Sequence, residues 1–555
     1  MGLDNTNVLL GALKRNPHLQ EYLDSFVKKT GTKPEFHVQI SRDMETLEFP
    51  NIIYPVGDPI FIHIYQKPGQ LKEYLAIEPA LSKQDKKIYD QIFERMIVMT
   101  PEMREPANSE ELKTMLNQLM DQITVVGEKK ETLLSRIVKQ KDHNRIYLGP
   151  LQNEILRFHI IKNLTGLGML EPFIRDTWIE DISCVGLSNI YIIHKIFKQL
   201  KTNVVVKDEM ELDNFCLKMS ERMGRPVSDS APISDGALPD GSRVNVVYSR
   251  EISKRGSSFT IRKFAAEPLS VTQILKFKAF SAEIAAYLWL CLENGMSLFV
   301  CGETASGKTT TLNALTGFIP SDRKIFSVED TPEVLVPQLS WQQALTRAGG
   351  KGEGEADSEV SMFDLLKAAL RSRPNYIIAG EIRGAEGFVA FQSMQTGLPV
   401  IATFHAGSVR SMIQRLTGDP INIPLISIGN LNVVLIQQAV RREGHTIRRV
   451  LNLAEIEGYS PEAKGVLSRS MFEWEPISDT FVFKGNNNSL ILEQKVARSL
   501  GYENTREIYK ELDIRTKILE EMVKRNIFDY HICYDIFAKY HEFGLDSLPF
   551  PVEGV

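Results

Sequence analysis

The sequence predicts an α/β protein with a parallel-sheet unit in its second half, a smaller α/β unit before it and a further α/β unit at the N-terminus. Three observations predict it. Between about residues 281 and 440, strand-like apolar runs alternate with helix-like ones, the pattern of a parallel sheet with crossover helices. Within that stretch, Leu298–Val300 leads into a glycine-rich turn and then the helix-like TTTLNALTGF. Ahead of it, from Pro150 to Lys263, short alternating runs surround one helix and one turn-rich segment. At roughly 100–200 residues per domain, 555 residues hold about three to five domains, and the expected divisions are 1–149, 150–265 and 266–555.

Composition narrows the function classes. Hydrophobic residues make up 43% of the chain and charged residues 24%, which excludes a wholly disordered, collagen-like or multi-span membrane chain. The net charge is −5, so there is no basic excess of the kind a nucleic-acid-coating protein carries, and no nucleic-acid partner is expected. The five cysteines are scattered and never spaced C-x-x-C. That argues against a disulfide framework or a four-cysteine zinc site and for a reducing, cytoplasmic compartment. The two most apolar stretches, around Ile284–Val300 and Ile423–Val440, are broken by Glu293 and Asn294 and by Ser427, Gly429, Asn430 and Asn432. Neither offers the ~20 clean apolar residues of a spanning helix, so any membrane contact is expected to be peripheral. The opening residues lack the order of a signal peptide, while Gly2 and Thr6 formally fit the loose myristoylation pattern.

Each element has its own signal. Phe61–Gln66 and Glu73–Pro79 alternate like half-buried strands. Ser82–Met99 and Ser109–Lys139 read as helices, with Asn108 as N-cap of the second and Glu111 in capping-box position. Helices are expected at Leu151–Leu164 and Glu209–Met223, and strands at WIEDISCVG, NIYIIH, VNVVYS and SSFTIRKF. Gly224–Arg243 is dense in turn formers. A helix at Ser281–Asn294 opens the third unit, and Ala348–Glu359 reads as a glycine- and acid-rich flexible loop. Arg448–Phe483 is strand-rich, and about Leu490 to Phe543 is helical.

The chemistry concentrates in the third unit. Gly302, Glu303, Thr304, Ala305, Ser306, Gly307, Lys308 and Thr309 match G-x-x-x-x-G-K-[ST] in full, with Thr310 following. Glycines let backbone N–H groups turn inward around phosphates at a helix N-terminus. Lys308 supplies charge to the β- and γ-phosphates of ATP, and Thr309 a hydroxyl to Mg²⁺. RPNYIIAGEIR places Glu381 at the end of an apolar strand, with Gly380 where many P-loop enzymes carry Asp. Glu381 is therefore a candidate for the Mg²⁺ shell. IFSVEDTPE ends a second strand in acids suited to activating a water. Glu333 is the first choice of base and Glu329 the alternative. TGLPVIATFHA delivers His405 after a third strand, where it can sense the γ-phosphate.

Together these four segments resemble the secretion ATPases of the type II secretion, type IV pilus and archaellum superfamily: Walker A, an aspartate box (VEDTPE), an atypical Walker B (AGEIRGAE) and a histidine box (TGLPVIATFHA). The preceding unit adds GLGMLEPFIRDTWIEDI, PDGSRVNVV and GSSFTIRKF, so the likeness runs from about Gly166 to Glu457. Two departures from the bacterial members stand out. No four-cysteine module follows the histidine box, and Leu398 replaces the His usual after its Thr-Gly. The pattern is closest to the archaeal archaellum motor ATPase, with an archaeal adhesive-pilus or type II secretion assembly ATPase next.

The resemblance implies a RecA-like P-loop ATPase domain at 266–555 with a helical C-terminal region. A small α/β domain at 150–265 would complete the nucleotide site, and 1–149 would bind a partner. It implies a homo-hexamer using ATP and Mg²⁺ and working on a polytopic membrane platform protein and other filament-machinery components. It also implies arginines from the small domain, with Arg243 and Arg262 at the family's positions and Arg225 a weaker match. Such arginines spread transition-state charge over phosphate oxygens. Arg383 is a candidate organiser beside Glu381. A RecA-like nucleic-acid translocase would share the fold, but no aromatic-plus-basic stripe supports one. A GTPase would need a base-reading N-K-x-D segment, which is absent, and an ATP-binding scaffold without turnover would not need Lys308, Glu333 and Glu381 together.

Overall fold

The computed structural model describes residues 5–100, 104–106, 108–127, 145–264, 267–347, 359–442 and 445–552. Gly2, the expected helical extension beyond 127 and the loop at 348–358 lie outside the described residues. The chain divides into two compact units, Met1–Phe264 and Ala265–Val555.

The first unit is built on one ten-stranded sheet. Its strands are β1 Glu35–Phe36, β2 Asn51–Pro55, β3 Phe61–Tyr65, β4 Glu73–Ile77, then β7 Ile179–Cys184, β8 Asn189–His194, β9 Lys198–Val205, β10 Ile233–Ala237, β11 Arg243–Val247 and β12 Ser258–Arg262. β5 Thr124–Val126 and β6 Ile146–Leu148 form a separate parallel pair. The order in the large sheet is β1-β2-β3-β4-β9-β8-β7-β12-β11-β10. The division expected near residue 150 therefore does not separate two sheets. β4 pairs in parallel with β9, and Asn203 extends the join by exchanging two 2.9 Å hydrogen bonds with the backbone of Ala76. A second bond across that join is buried. Tyr54 and Tyr74 donate to one carboxylate oxygen of Asp176 at 2.7 and 3.0 Å, with Asp176 1% exposed. Burial raises the Asp176 carboxyl, and these hydroxyls and the Trp178 N–H offset part of that.

Most expected elements form with small boundary differences. Ser82 caps Lys83–Met99 in a capping box with Asp85, and Asn108 caps the next helix through the Glu111 N–H. That helix ends at Ile123, where the chain turns into β5. Six strands of the first unit are additional: β1, β2, β5, β6, β9 and β10. β9 was masked in the sequence by its lysines, and β10 by the glycine and serines of Gly224–Arg243. Both are held by their neighbours' ladders rather than by an apolar pattern of their own.

The second unit is a nine-stranded sheet. Its strands are β13 Leu298–Gly302, β14 Ile325–Glu329, β15 Trp341–Leu345, β16 Tyr376–Ile382, β17 Val400–Phe404, β18 Val433–Arg442, β19 His445–Ser460, β20 Gly465–Glu475 and β21 Thr480–Phe483. The order is β15-β14-β16-β17-β13-β18-β19-β20-β21. From β15 to β18 every pairing is parallel, and β18 to β21 continue antiparallel. β13, β14 and β17 are buried along their whole length, as parallel strands covered on both faces are. This is the α/β architecture with a RecA-like core that the motifs imply.

The C-terminal helices complete the core of this unit. Helix Ile508–Lys524 lies along helix Ala282–Glu293, whose side chains are almost all buried. Arg515, 6% exposed, forks onto Glu293 at 2.6 and 3.0 Å and reaches Glu511 at 2.9 Å. Its guanidinium also lies 4.7 Å from the ring centre of Trp289. His541 closes the cluster, 3.1 Å from Glu293. All five cysteines are buried and free. Among the described residues, no helix is long and apolar enough to cross a membrane.

Two outcomes follow from this packing. Burial alone would raise Glu293, but hydrogen bonds and charge from His541 and Arg515 hold it at about 2. Relative to an ordinary carboxyl that is on the order of 3 kcal/mol of stability, present above about pH 4.5 and lost as pH falls towards 2. The His541 ring is raised by its bond to Glu293, with burial opposing. Its contribution is complete below pH 6.5 and disappears as pH rises through the folded value. His541→Ala is expected to lower Tm at pH 5.5 and to match the wild type at pH 9, checked by thermal melts. The second outcome concerns truncation. A chain starting at Pro150 loses β1–β4, exposes the β9 edge and strips two hydroxyls from buried Asp176, so it is expected to aggregate. A monodisperse, cooperatively melting Pro150–Val555 protein in size-exclusion and melting experiments would show that the two halves of the sheet are separable.

Candidate nucleotide site

The P-loop follows from local sterics. Gly302 ends β13, and a Cβ there would lie 2.3 Å from the Gln437 carbonyl oxygen and 2.5 Å from Ser306 Oγ. Gly307 has φ +95°, and Ala305 adopts a left-handed φ of 61°. Two carbonyls of the turn have side-chain donors. The Glu303 carbonyl accepts from Ser306 Oγ at 2.8 Å and from Lys308 Nζ at 3.0 Å, and the Ala305 carbonyl accepts from Arg448 Nε at 3.1 Å. Thr311 donates to Gln437 Oε1 at 2.8 Å, fixing the first turn of helix Lys308–Thr316 against β18. The cradle fits a phosphate chain: side chains are excluded where the backbone must approach, and the loop opens onto a helix N-terminus.

Parallel pairing brings the other segments to the same edge. Cys301 lies opposite Phe404, and Val328 opposite Ala379, so the ends of β13, β14, β16 and β17 carry the P-loop, Glu329, Glu381 and His405. His405 Nε2 is 3.3 Å from Thr304 Oγ1 in the P-loop, and its carbonyl accepts from Arg415. The register between β16 and β17 shifts between Ala379 and Ile382, so Gly380 and Glu381 sit in an irregularity of the ladder. Glu381 is held by Arg383 Nη2 at 2.5 Å, and Thr403 donates to the Gly380 carbonyl. Burial lowers the Lys308 ammonium, and the negative charges of Glu381 and Glu333 act against that. Lys308 thus shares one electrostatic environment with both acids.

Glu329 and Glu333 are placed differently. Glu329 is 1% exposed, and burial pushes its carboxyl up to about 7 despite donors from Gln343 and the Glu333 and Val334 N–H groups. Glu333 projects from the loop after β14 and is exposed.

Arg243 and Arg262 belong to the first unit. They face each other as register partners on β11 and β12. Asp235 takes Arg243 Nη2 at 2.9 Å, and Asp181 takes Arg262 Nε at 3.2 Å. Two like charges directly opposite on a sheet are unfavourable, and the flanking aspartates offset that. Arg225 donates to the Asp235 carbonyl on the same sheet.

Sequence reasoning did not identify Gln437, Arg448, Asn313 or Arg415. Asn313 had a usable signal, four residues after Thr309 and so on one helical face with it. Gln437 and Arg448 had none, since each reaches the P-loop from a strand more than a hundred residues later.

A family model described as Type II/IV secretion system protein matches residues 163–524. The Methanocaldococcus jannaschii protein MJ0900 is 52% identical over 544 residues, covering 98% of each chain. The type IV secretion system protein PtlH of Bordetella pertussis is 31% identical over 215 residues, which are 35% of this chain and 62% of its own. The solved structure of the Legionella pneumophila ATPase DotB covers 66% of this chain and 93% of its own at 17% identity and a TM-score of 0.38. The family match takes in the Walker A segment, both strand-tip acids and the histidine box, and it spans well over half of the chain. The chain belongs to the type II/IV secretion system protein family, the superfamily of secretion ATPases.

Proposed function

We propose that this protein is a hexameric, ATP-hydrolysing motor that powers assembly and rotation of an archaeal type IV pilus-like filament, the archaellum. The observation that carries the ATPase reading is the convergence of Lys308, Glu381 and His405 at one sheet edge, with Glu333 on the loop beside them. The P-loop backbone and Lys308 hold the phosphates, and Thr309 and Glu381 are the groups that would hold Mg²⁺. When bound, Mg²⁺ neutralises phosphate charge and draws electron density from the leaving group. Glu333 accepts a hydrogen bond from the attacking water and orients it. Arg383 keeps the Glu381 carboxylate in place, and His405 passes a change at the γ-phosphate to the P-loop through Thr304. Arg243 and Arg262 come from a neighbouring subunit and exchange their aspartates for phosphate oxygens. Residues 1–149 face the platform partner at the cytoplasmic side of the membrane. Support for the archaeal branch comes from the missing cysteine module, from Leu398 and from near-full-length identity to an archaeal relative.

Three experiments test the reading. Lys308→Ala is expected to abolish nucleotide binding and turnover, whereas Glu381→Gln binds ATP but loses hydrolysis by about 100-fold or more. Wild-type phosphate release by Glu381→Gln would remove Glu381 from the site. In the second, Arg243→Ala subunits are mixed with Lys308→Ala subunits. Because the defects sit on different chains, some interfaces are intact and part of the activity returns. Co-assembled mixtures with no activity at any ratio would argue against arginines acting in trans. In the host, the Glu381→Gln strain should lack surface filaments and swimming.

A further inference from the structure

The P-loop helix and the segment carrying Glu333 are lashed together by side chains with no assigned role. Asn313, 7% exposed, donates Nδ2 to the Glu333 carbonyl at 2.8 Å and accepts the Leu335 N–H at 3.1 Å. Three residues on, Thr316 Oγ1 reaches the Leu335 carbonyl at 3.2 Å. Gln338 Nε2 returns the contact, donating to the carbonyls of Thr316 and Ile319 at 3.0 and 2.7 Å. From the opposite side, Glu329 Oε1 accepts the N–H groups of Glu333 and Val334 at 2.8 and 2.6 Å, and Gln343 holds Oε2 at 2.9 Å. Both backbone polar groups of Glu333 are therefore fixed, one by an amide on the P-loop helix and the other by a carboxylate on β14.

We infer that Asn313 and Glu329 are positioning residues that set Glu333 against the P-loop, and that Glu329 is not the group that activates water. The inference rests on the reading of Glu333 as the water-orienting carboxylate. Glu329 is already engaged by three donors and is shielded from solvent. The same clamp accounts for the glycine at the Walker B position. A Cβ on Gly380 would lie 3.1 Å from Glu329 Cγ, so an aspartate there would press on the side chain that holds the loop. Because Asn313 is on the helix that begins with Lys308 and Thr309, the phosphate-binding groups and the Glu333 backbone move as one body. Glu333 is thereby preorganised rather than assembled by nucleotide.

The test uses the full chain and measures kcat, KM for ATP and nucleotide Kd. Glu333→Gln is expected to lose turnover. Asn313→Ala and Glu329→Ala each lower kcat by about 10- to 100-fold, with KM and Kd within about twofold of the wild type, as misplacement of an orienting group does. Neither adds a further loss in the Glu333→Gln background. Glu329→Gln keeps an acceptor for both N–H groups and recovers most of what Glu329→Ala loses. Should Asn313→Ala fail to bind nucleotide, Asn313→Asp carries the same expectation, since it keeps the size and the Leu335 acceptor but repels the Glu333 carbonyl. Wild-type kcat in the Asn313 variants while Glu333→Gln is inactive would overturn the clamp alone. Further losses on top of Glu333→Gln would do the same. Full turnover by Glu333→Gln overturns the reading of Glu333 and the clamp with it. A Glu329→Gln defect as deep as that of Glu329→Ala would then assign the water to Glu329.

Discussion

β13 is paired on both sides, with β17 and β18, and the rest of the site depends on that central position. A parallel strand surrounded by parallel neighbours delivers its C-terminal end to the edge where their C-terminal ends also lie. The approach at that end is close enough that Gly302 has no room for a side chain beside the Gln437 carbonyl. The chain must leave the strand as a glycine turn, and the turn must open a helix. The phosphate affinity we propose is thus a consequence of where β13 sits, with Lys308 adding charge to a cradle that the backbone has already formed.

The acids around this cradle have different surroundings, and the divided roles we propose for them rest on that difference. Glu329 and Glu381 both stand at strand ends in one sheet. Glu329 is buried among three donors, while Glu381 lies at the ladder irregularity and pairs with Arg383. Gly380 connects the two, since its missing side chain makes space for Glu329. An atypical motif position and a buried carboxylate are therefore two views of one packing constraint.

The first unit follows a different logic. Its sheet is continuous from the N-terminal hairpins to the strands carrying Arg243 and Arg262. The arginine pair is balanced by Asp181 and Asp235 within that sheet, so in the isolated chain its charge is occupied rather than free. In the arrangement we propose, a phosphate on a neighbouring subunit would have to compete with these aspartates for the two arginines.

The sequence by itself determined the local chemistry. Within each of the glycine loop, the apolar strands ending in acids and the VIATF strand ending in histidine, the residues act within a few positions of one another, so the local geometry is set by short-range sterics and by the period of a strand or helix. The cap Asn108 was legible for the same reason, and Ser82 and Ser281, read only as helix starts, proved to be caps as well. Only the tertiary structure decided that residues 1–149 share a sheet with those after 150, because the β4–β9 join and the two tyrosines on Asp176 link positions about a hundred residues apart. It also separated Glu329 from Glu333. Two carboxylates four residues apart look alike in sequence, but water activation requires an exposed oxygen, and exposure is fixed by what the rest of the chain packs around each one.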